Sequence, residues 1–219
     1  MQVQPKSQLE FILIMACLMS LVALSIDALL PALNAIGLAI GTTENSDSQL
    51  LITMIFLGLG LGQLIAGPLS DSFGRKPVVY IGFSIFVIAS VICVFSTSLE
   101  MMIFGRILQG IGLSAPRTLS IAMVRDTYSG DYMARIMSFV VSIFILVPVV
   151  APTLGKLMLD NFGWQSIFTS QLIFGSIVIL WFFKRQAETL KEQYRKNFRL
   201  SIFKTGTQEF LKHNDAIVY

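Results

Sequence analysis

Charged residues are scarce in this chain: Asp, Glu, Lys and Arg make up 13% of its 219 residues, whereas soluble domains carry roughly 25%. It has one histidine, His213, and two cysteines, Cys17 and Cys93. These residues offer neither a disulfide framework nor the spacing of a metal site. No nucleophile–base set or phosphate-binding loop is present either. We therefore expect no enzyme, no cofactor and no bound metal. The small net charge of +3 does not indicate nucleic-acid binding, because the basic residues lie at the edges of apolar segments.

Long apolar runs replace the missing charge. Hydrophobic residues make up 54% of the chain, in continuous runs of about 20 residues, the length that a bilayer core requires. Strands of a membrane barrel would instead alternate apolar and polar residues. The sequence thus predicts an all-α membrane protein with six transmembrane helices, near residues 9–33, 49–69, 77–96, 101–124, 133–159 and 164–183. In the second of these, Gly58, Gly62 and Ala66 form a small-residue series that predicts a close helix–helix contact.

The first apolar run has a second interpretation, as a signal peptide with Lys6 as its charged start and residues 11–26 as its apolar core. That core is longer than the 7–15 residues usual for a signal, and further spans follow it. We therefore favour a membrane span. Pro31 is expected to kink or end this helix just beyond Asp27.

Basic residues collect at one end of the predicted spans. They are Lys6, Arg75, Lys76, Arg125, Arg135, Lys184, Arg185 and the bases that follow. The other end has mainly acids, namely Glu44, Asp47, Glu100 and Asp160, with Lys156 beside them. Because basic loops stay inside, we expect both termini in the cytoplasm and the chain in the cytoplasmic (inner) membrane. The basic segment 185–204 is either an amphipathic segment on the anionic lipid bilayer surface or an ordinary linker.

A few charged residues fall inside the predicted spans. A charge at membrane depth costs about 2.5–3.5 kcal/mol on insertion scales, and Asp27 is the one carboxylate that we expect there. Asp27 lies late in the first span and Arg106 early in the fourth, so both belong to the outer half of the membrane. Arg117 lies about 16 Å deeper at 1.5 Å per residue. We therefore predict that Asp27 pairs with Arg106, with Gln109 on nearly the same face of the helix.

This predicted pair allows two interpretations. It is either a static ion pair that joins two helices, or a site that couples a proton to a conformational change. We favour proton coupling, because ionisable groups inside membranes more often mark pathways or proton relays.

The loop between the second and third spans has a distinctive sequence. Glycines permit a tight hairpin there, Arg75 and Lys76 hold it at the cytoplasmic side, and Asp71 is able to cap or pair with a helix start. The loop resembles the signature G-x-L-x-D-x-x-G-R-K of the major facilitator superfamily, with matches at Gly67, Leu69, Asp71, Gly74, Arg75 and Lys76. The resemblance implies that this loop controls alternating access, and that Arg75 pairs with an acid at the end of the fourth span, where Asp126 is well placed.

Other spans extend the resemblance. Residues 106–112 are similar to the family's fourth-span signature R-x-x-Q-G-x-G, which is associated with proton transfer in drug/proton antiporters. Residues 25–33 resemble the first span of the Bcr/CflA drug-resistance branch. In the fifth span, Pro148, Pro152 and Gly155 resemble the antiporter motif. That motif usually ends in two glycines, and this chain departs from it with Lys156. Arg117 is outside the general signature, and either lines the cytoplasmic half of the cavity or reaches the interface by snorkelling.

The resemblance covers about residues 9–185, which correspond to the N-terminal half of a major facilitator fold. We therefore divide the chain into a six-helix transmembrane bundle, 1–185, and a basic cytoplasmic loop or tail, 186–219, that ends before a seventh span. In this family two halves enclose a midplane substrate site. We expect the missing C-terminal half, or a second copy of the chain, as a partner.

Three functions follow from these features. The leading hypothesis is proton-coupled multidrug efflux, in which the partners are protons and a small amphipathic, often cationic substrate. The first alternative is another transporter of the family, such as a metabolite uptake symporter, which shares every motif except the fifth-span prolines. The second is a membrane scaffold that transports nothing.

Overall fold

A computed structural model describes residues 7–41 and 45–195, and it is helical throughout these segments apart from short connections. The predictions that concern Lys6, Glu44, His213 and the tail beyond residue 195 lie outside the described residues. The α-helices, in chain order, are α1 (Gln8–Asp27), α2 (Leu33–Ala39), α3 (Asn45–Phe73), α4 (Arg75–Val94), α5 (Leu99–Thr127), α6 (Gly130–Phe162) and α7 (Gln165–Arg185).

Within the described residues, six helical segments are long and apolar enough to cross a membrane, as the sequence predicted. The first, Gln8–Ala39, extends beyond its predicted end near residue 33 and is broken in the middle. α1 ends at Asp27, a short 3-10 turn occupies Leu30–Ala32, and α2 completes the span. The break follows from Pro31, which has no N–H to donate to the Asp27 carbonyl. The helix resumes beyond it because backbone groups in lipid need internal partners.

The long helix α5 packs against α3 on one side and α4 on another. A Cβ atom added at Gly58 of α3 would overlap the Ile107 carbonyl of α5, and one at Gly110 would overlap the Ile55 carbonyl of α3. A Cβ at Gly82 of α4 would lie 2.6 Å from the carbonyl oxygen of Gly112 in α5. Only glycine lets these backbones come so close. The predicted small-residue contact of the second span is therefore confirmed, and its partner is the helix that contains Arg106.

One end of the bundle brings together the start of α1, the α3–α4 and α5–α6 turns, and the end of α7. Arg185 Nε donates to Glu10 Oε1 at 2.6 Å, and the Tyr132 hydroxyl donates to Gln8 Oε1, also at 2.6 Å. We call this the basic end, because Arg75, Lys76, Arg125, Lys184 and Arg185 all belong to it. Residues 186–195, which follow α7, also lie at the basic end and include a 3-10 turn at Glu192–Tyr194.

Candidate functional site

Two groups of polar side chains stand out, each centred on one arginine. The first, the Arg75 cluster, lies at the basic end and consists of Ser70, Asp71, Arg75 and Asp126. Arg75 Nη1 donates to Asp71 Oδ1 and to Ser70 Oγ, both at 2.6 Å, and Arg75 Nε donates to Asp126 Oδ2 at 3.0 Å. The predicted contact between Arg75 and Asp126 is therefore present, and it joins the α3–α4 turn to the end of α5.

The turn that presents Arg75 is a single residue long. Gly74 separates α3 from α4 with φ at +100°, a conformation that side chains disfavour. Ser70 Oγ donates to the Gly67 carbonyl at 2.8 Å, so Gly67 supports the cluster through its backbone. Lys76 points elsewhere: its Nζ donates to the Phe183 carbonyl at 3.1 Å, in the last turn of α7. This cation at the end of a helix complements the helix dipole.

Sequence reasoning missed two members of this region, Glu188 and Thr189. The Glu188 carboxylate accepts hydrogen bonds from the backbone N–H groups of Arg75 and Lys76, each at 2.9 Å. Thr189 Oγ1 donates to Asp126 Oδ2 at 3.2 Å. The segment 185–204 was predicted to be either an amphipathic segment on the bilayer surface or an ordinary linker, with no role for either residue. An acid within this basic stretch was the one signal available for Glu188.

The second group, the Arg106 cluster, lies inside the bundle and consists of Ser90, Arg106, Gln109 and Gln171. Arg106 is fully buried. Its Nη1 donates to Gln109 Oε1 at 2.6 Å and to the Ser25 carbonyl at 3.1 Å, while Nε donates to the Leu51 carbonyl at 3.1 Å. The guanidinium carbon also lies 6.0 Å from the centre of the Phe168 ring. These contacts connect α5 with α1, α3 and α7.

The predicted pair between Asp27 and Arg106 is wrong in this structure. Arg106 binds the Ser25 carbonyl, two residues before Asp27, through both Nη1 and Nη2. That carbonyl is available because the Leu29 N–H bonds to Ile26 instead, and carbonyls at a helix end lack intrahelical donors. The guanidinium thus binds the negative end of the α1 dipole. Asp27 itself is partly exposed. Within residues 7–41 and 45–195 it makes no side-chain hydrogen bond or ion pair.

Gln109 connects the Arg106 cluster to α4 and makes a second contact with α7, through two residues that sequence reasoning did not select. Its Nε2 donates to Ser90 Oγ in α4 at 2.9 Å and to Gln171 Oε1 in α7 at 3.4 Å. All three side chains are fully buried. Gln171 Nε2 and Ser25 Oγ have no hydrogen-bond partner in the described part of the chain. Two unsatisfied polar atoms thus belong to residues that contact Arg106 or Gln109. Glutamine inside a predicted span was a signal for Gln171.

The fifth-span motif lies in α6, which contains Pro148 and Pro152 without interruption. Gly155 is buried against the break in the first span, since a Cβ there would overlap the Ala28 carbonyl. Lys156, which stands where the motif has a second glycine, is exposed and pairs with Asp160 at 2.6 Å. The motif residue that matters for the site is therefore Gly155, because it lets α6 approach the residue next to Asp27.

Cavities adjoin both the break in the first span and the Arg75 cluster. An apolar crevice of about 450 Å³ lies between α1, α6 and α7, and its lining includes Leu24, Ala28, Gly155 and Phe174. A more polar cleft of about 480 Å³ at the basic end is lined by Gln63, Arg75, Arg117, Thr118, Ile121, Ala122, Arg125 and Asp126. Arg117 thus lines a cleft beside the Arg75 cluster. Across the described residues, no group of three His, Cys, Asp or Glu side chains is arranged to hold a metal ion.

The structure does not bring the two arginine clusters together. Arg106 and Asp126 both belong to α5. They are 20 positions apart in the helix, which corresponds to about 30 Å at 1.5 Å per residue. One continuous helix, α5, connects the interior cluster to the one at the basic end.

Comparison with known proteins identifies the family. A family model described as Major Facilitator Superfamily matches residues 15–217. The chain is 32% identical over 171 residues to a protein of Escherichia coli named multidrug resistance protein MdtL, covering 78% of this chain and 44% of that protein. It is 30% identical over 216 residues to the bicyclomycin resistance protein homolog of Haemophilus influenzae, covering 99% of this chain and 54% of that protein. The chain spans about half the length of the curated relatives it matches.

A solved structure has the same fold. The crystal structure of the human organic anion transporter MFSD10 (TETRAN) superposes with a TM-score of 0.66 at 21% sequence identity. The match covers 88% of this chain and 50% of that one. At this identity the likeness concerns the arrangement of the helices alone.

Proposed function

This chain belongs to the major facilitator superfamily, and from that premise we propose that it takes part in proton-coupled export of small amphipathic, often cationic drugs. Two relatives named for multidrug and bicyclomycin resistance support the substrate class. The apolar crevice of about 450 Å³ beside Ala28 supports an amphipathic substrate, because its lining is almost entirely hydrocarbon. The six spans make this a multi-pass membrane protein, and we propose the cytoplasmic (inner) membrane as its location.

The observation that carries the proposal is the state of Asp27. It lies at the break of a membrane span and is partly exposed. Arg106 is held instead by neutral oxygens, one of which is the carbonyl of Ser25, two residues before Asp27. An acid that is not fixed in an ion pair is free to take up a proton, lose its charge and release the proton again. Ionisable groups at membrane depth often form proton relays for this reason. We assign proton coupling to Asp27, with Arg106 and Gln109 as the groups that set its surroundings.

We assign cytoplasmic gating to Gly67, Asp71, Gly74, Arg75, Lys76 and Asp126. The three ion-pairing side chains connect α3, α4 and α5 at one end, so separating these helix ends requires breaking the Arg75–Asp126 bond. The excess of basic residues at this end favours the cytoplasmic side. We further propose that a second six-helix half, either a following segment or a second copy, completes the substrate cavity, as paired repeats do in such transporters. Pro148, Pro152 and Gly155 would shape α6 beside that cavity.

The experiment that tests the proposal is Asp27→Asn in the whole transporter. Dye efflux from vesicles is measured with an imposed proton gradient and without one. We expect the variant to lose gradient-driven efflux, because an amide side chain neither binds nor releases a proton near neutral pH. Glu100→Gln is the matched control, since Glu100 is exposed in the first turn of α5. It should retain efflux.

Efflux that stays fully proton-driven in Asp27→Asn would reject the role of this residue. The direction of drug and proton counterflow separates export from metabolite uptake. If Asp71→Asn and Arg75→Ala both leave every solute flux unchanged, the alternative of a membrane scaffold is correct.

A further inference from the structure

We propose that Glu188 and Thr189 are positioning residues of the cytoplasmic gate, so that the segment after α7 is a working part of it rather than a passive connection. The gating role in this inference rests on the proposed function. Glu188 and Thr189 are consecutive, and each contacts a different residue of the Arg75 cluster. The Glu188 carboxylate accepts from the backbone N–H of Arg75. Thr189 Oγ1 donates to Asp126, the acid that accepts from the Arg75 side chain.

The Glu188 carboxylate supplies what the start of α4 lacks. The first N–H groups of an α-helix have no intrahelical acceptor, and a side chain of the preceding residue usually provides one. Here the preceding residue is Gly74, which has no side chain. Glu188 Oε1 accepts from the Arg75 N–H and Oε2 from the Lys76 N–H, both at 2.9 Å. Its negative charge also lies at the positive end of the α4 dipole.

The same contact gives a second reason for glycine at position 74. A Cβ atom added there would lie 2.7 Å from Glu188 Oε2, closer than van der Waals contact allows. The conformation of Gly74, with φ at +100°, already favours glycine. The turn therefore has to lack a side chain both to form and to admit the carboxylate.

Thr189 acts on the acid that pairs with Arg75. Its Oγ1 donates to Asp126 Oδ2, the same oxygen that accepts from Arg75 Nε. Lys76 strengthens the link between α4 and α7, because its Nζ donates to the Phe183 carbonyl. The segment after α7 thus holds the start of α4 and the end of α5 in one arrangement. If those helix ends separate when the transporter opens, at least one of the contacts of Glu188 or Thr189 must break.

The first test measures amide hydrogen exchange of residues 74–80 in the whole membrane-embedded protein. Glu188→Ala should speed exchange of the Arg75 and Lys76 amides about fivefold, the usual effect of losing one helix cap. Glu188→Gln, which keeps an acceptor oxygen, should give a smaller increase and guards against misfolding of the alanine variant. Glu192→Ala is the matched control, because that side chain is 90% exposed and lies 4.0 Å from Arg195. Unchanged exchange in both Glu188 variants would overturn the inference.

The second test asks whether the contacts hold the gate. A cysteine introduced by Ala122→Cys, which lines the cleft beside Arg75 and Asp126, is labelled with a membrane-impermeant maleimide from the basic end. We expect Glu188→Ala and Thr189→Val to increase the labelling rate severalfold, Glu188→Gln to give an intermediate increase, and Glu192→Ala to change nothing. Faster exchange without faster labelling would reduce Glu188 to a structural cap and overturn its gating role. Neither measurement needs drug transport, so a failure of the proposed function would leave both readouts intact.

Discussion

Arg75 and Arg106 are both largely removed from solvent, but the partners that compensate their charges differ. Arg75, whose side chain is 11% exposed at the basic end, binds the carboxylates of Asp71 and Asp126. Arg106 is fully buried and, in the part of the chain described, binds only uncharged oxygens. The two carboxylates reach the solvent, with the side chains of Asp71 38% and Asp126 19% exposed, and an ion pair in contact with water contributes little net stability. In the interior a second charge would add its own desolvation penalty, and neutral carbonyls avoid it. From this difference we expect the contacts of Arg75 to break more readily than those of Arg106.

The largest expected effect on stability comes from Arg106→Lys, which breaks the hydrogen bonds of the guanidinium to neutral oxygens. Lysine keeps the charge, but its three donors radiate from one atom and cannot reach the Ser25 and Leu51 carbonyls and Gln109 together. We expect a loss of about 3 kcal/mol of stability, the scale of one or two hydrogen bonds to a charged group. The measurement is thermal unfolding of the purified protein in detergent, followed by efflux assays on the variant.

The matched control for this change is Arg117→Lys. Arg117 lines the cleft at the basic end and has no hydrogen bond or ion pair to the other residues described. It should tolerate lysine with little change in unfolding temperature. Equal destabilisation by the two substitutions would show that the contacts of Arg106 with neutral oxygens have no special weight, and the contrast between the two clusters would fail.

A smaller loss of stability is expected from a change in the packing of α6 against the break in the first span, next to the Ser25 carbonyl that binds Arg106. Gly155→Ala forces α6 away from Ala28, because the new Cβ would overlap that carbonyl. Overpacking of this kind costs about 2 kcal/mol, and it displaces the break in the first span that frees the Ser25 carbonyl for Arg106. Gly60→Ala is the control, since a Cβ at Gly60 has no neighbour within 4 Å. Unfolding temperatures of the pair test this, and a Gly155→Ala protein as stable as Gly60→Ala would contradict the close contact.

The sequence was sufficient to predict the six spans, because apolar length is a strong signal in a membrane protein. The family resemblance also implied the Arg75–Asp126 contact, because it pairs the signature arginine with an acid at the end of the fourth span. The prediction of an Asp27–Arg106 pair was wrong for a physical reason. Pairing by depth and charge ignores the backbone. At the break of the first span the Leu29 N–H bonds to Ile26, which leaves the Ser25 carbonyl to bind the guanidinium. Glu188 was missed because a cap supplied from more than a hundred residues away leaves no local pattern.

The smallest effect should appear at the basic end, where the comparison predicts that charge pairing is weak and sensitive to salt. Asp126→Asn removes the charge that faces Arg75 Nε but keeps an acceptor oxygen, so we expect about 1 kcal/mol of destabilisation in low salt. At 1 M salt, where the Debye length is about 3 Å, the difference from the unmodified protein should shrink. Unfolding of both proteins across a salt series measures this.

Asp160→Asn serves as the control, because its pair with Lys156 is about half exposed on both sides and contributes close to nothing. If Asp126→Asn proved as costly as Arg106→Lys and insensitive to salt, the Arg75 cluster would be as fixed as the interior one. A contact that strong would not open readily, and the assignment of gating to this end of the bundle would have to be abandoned.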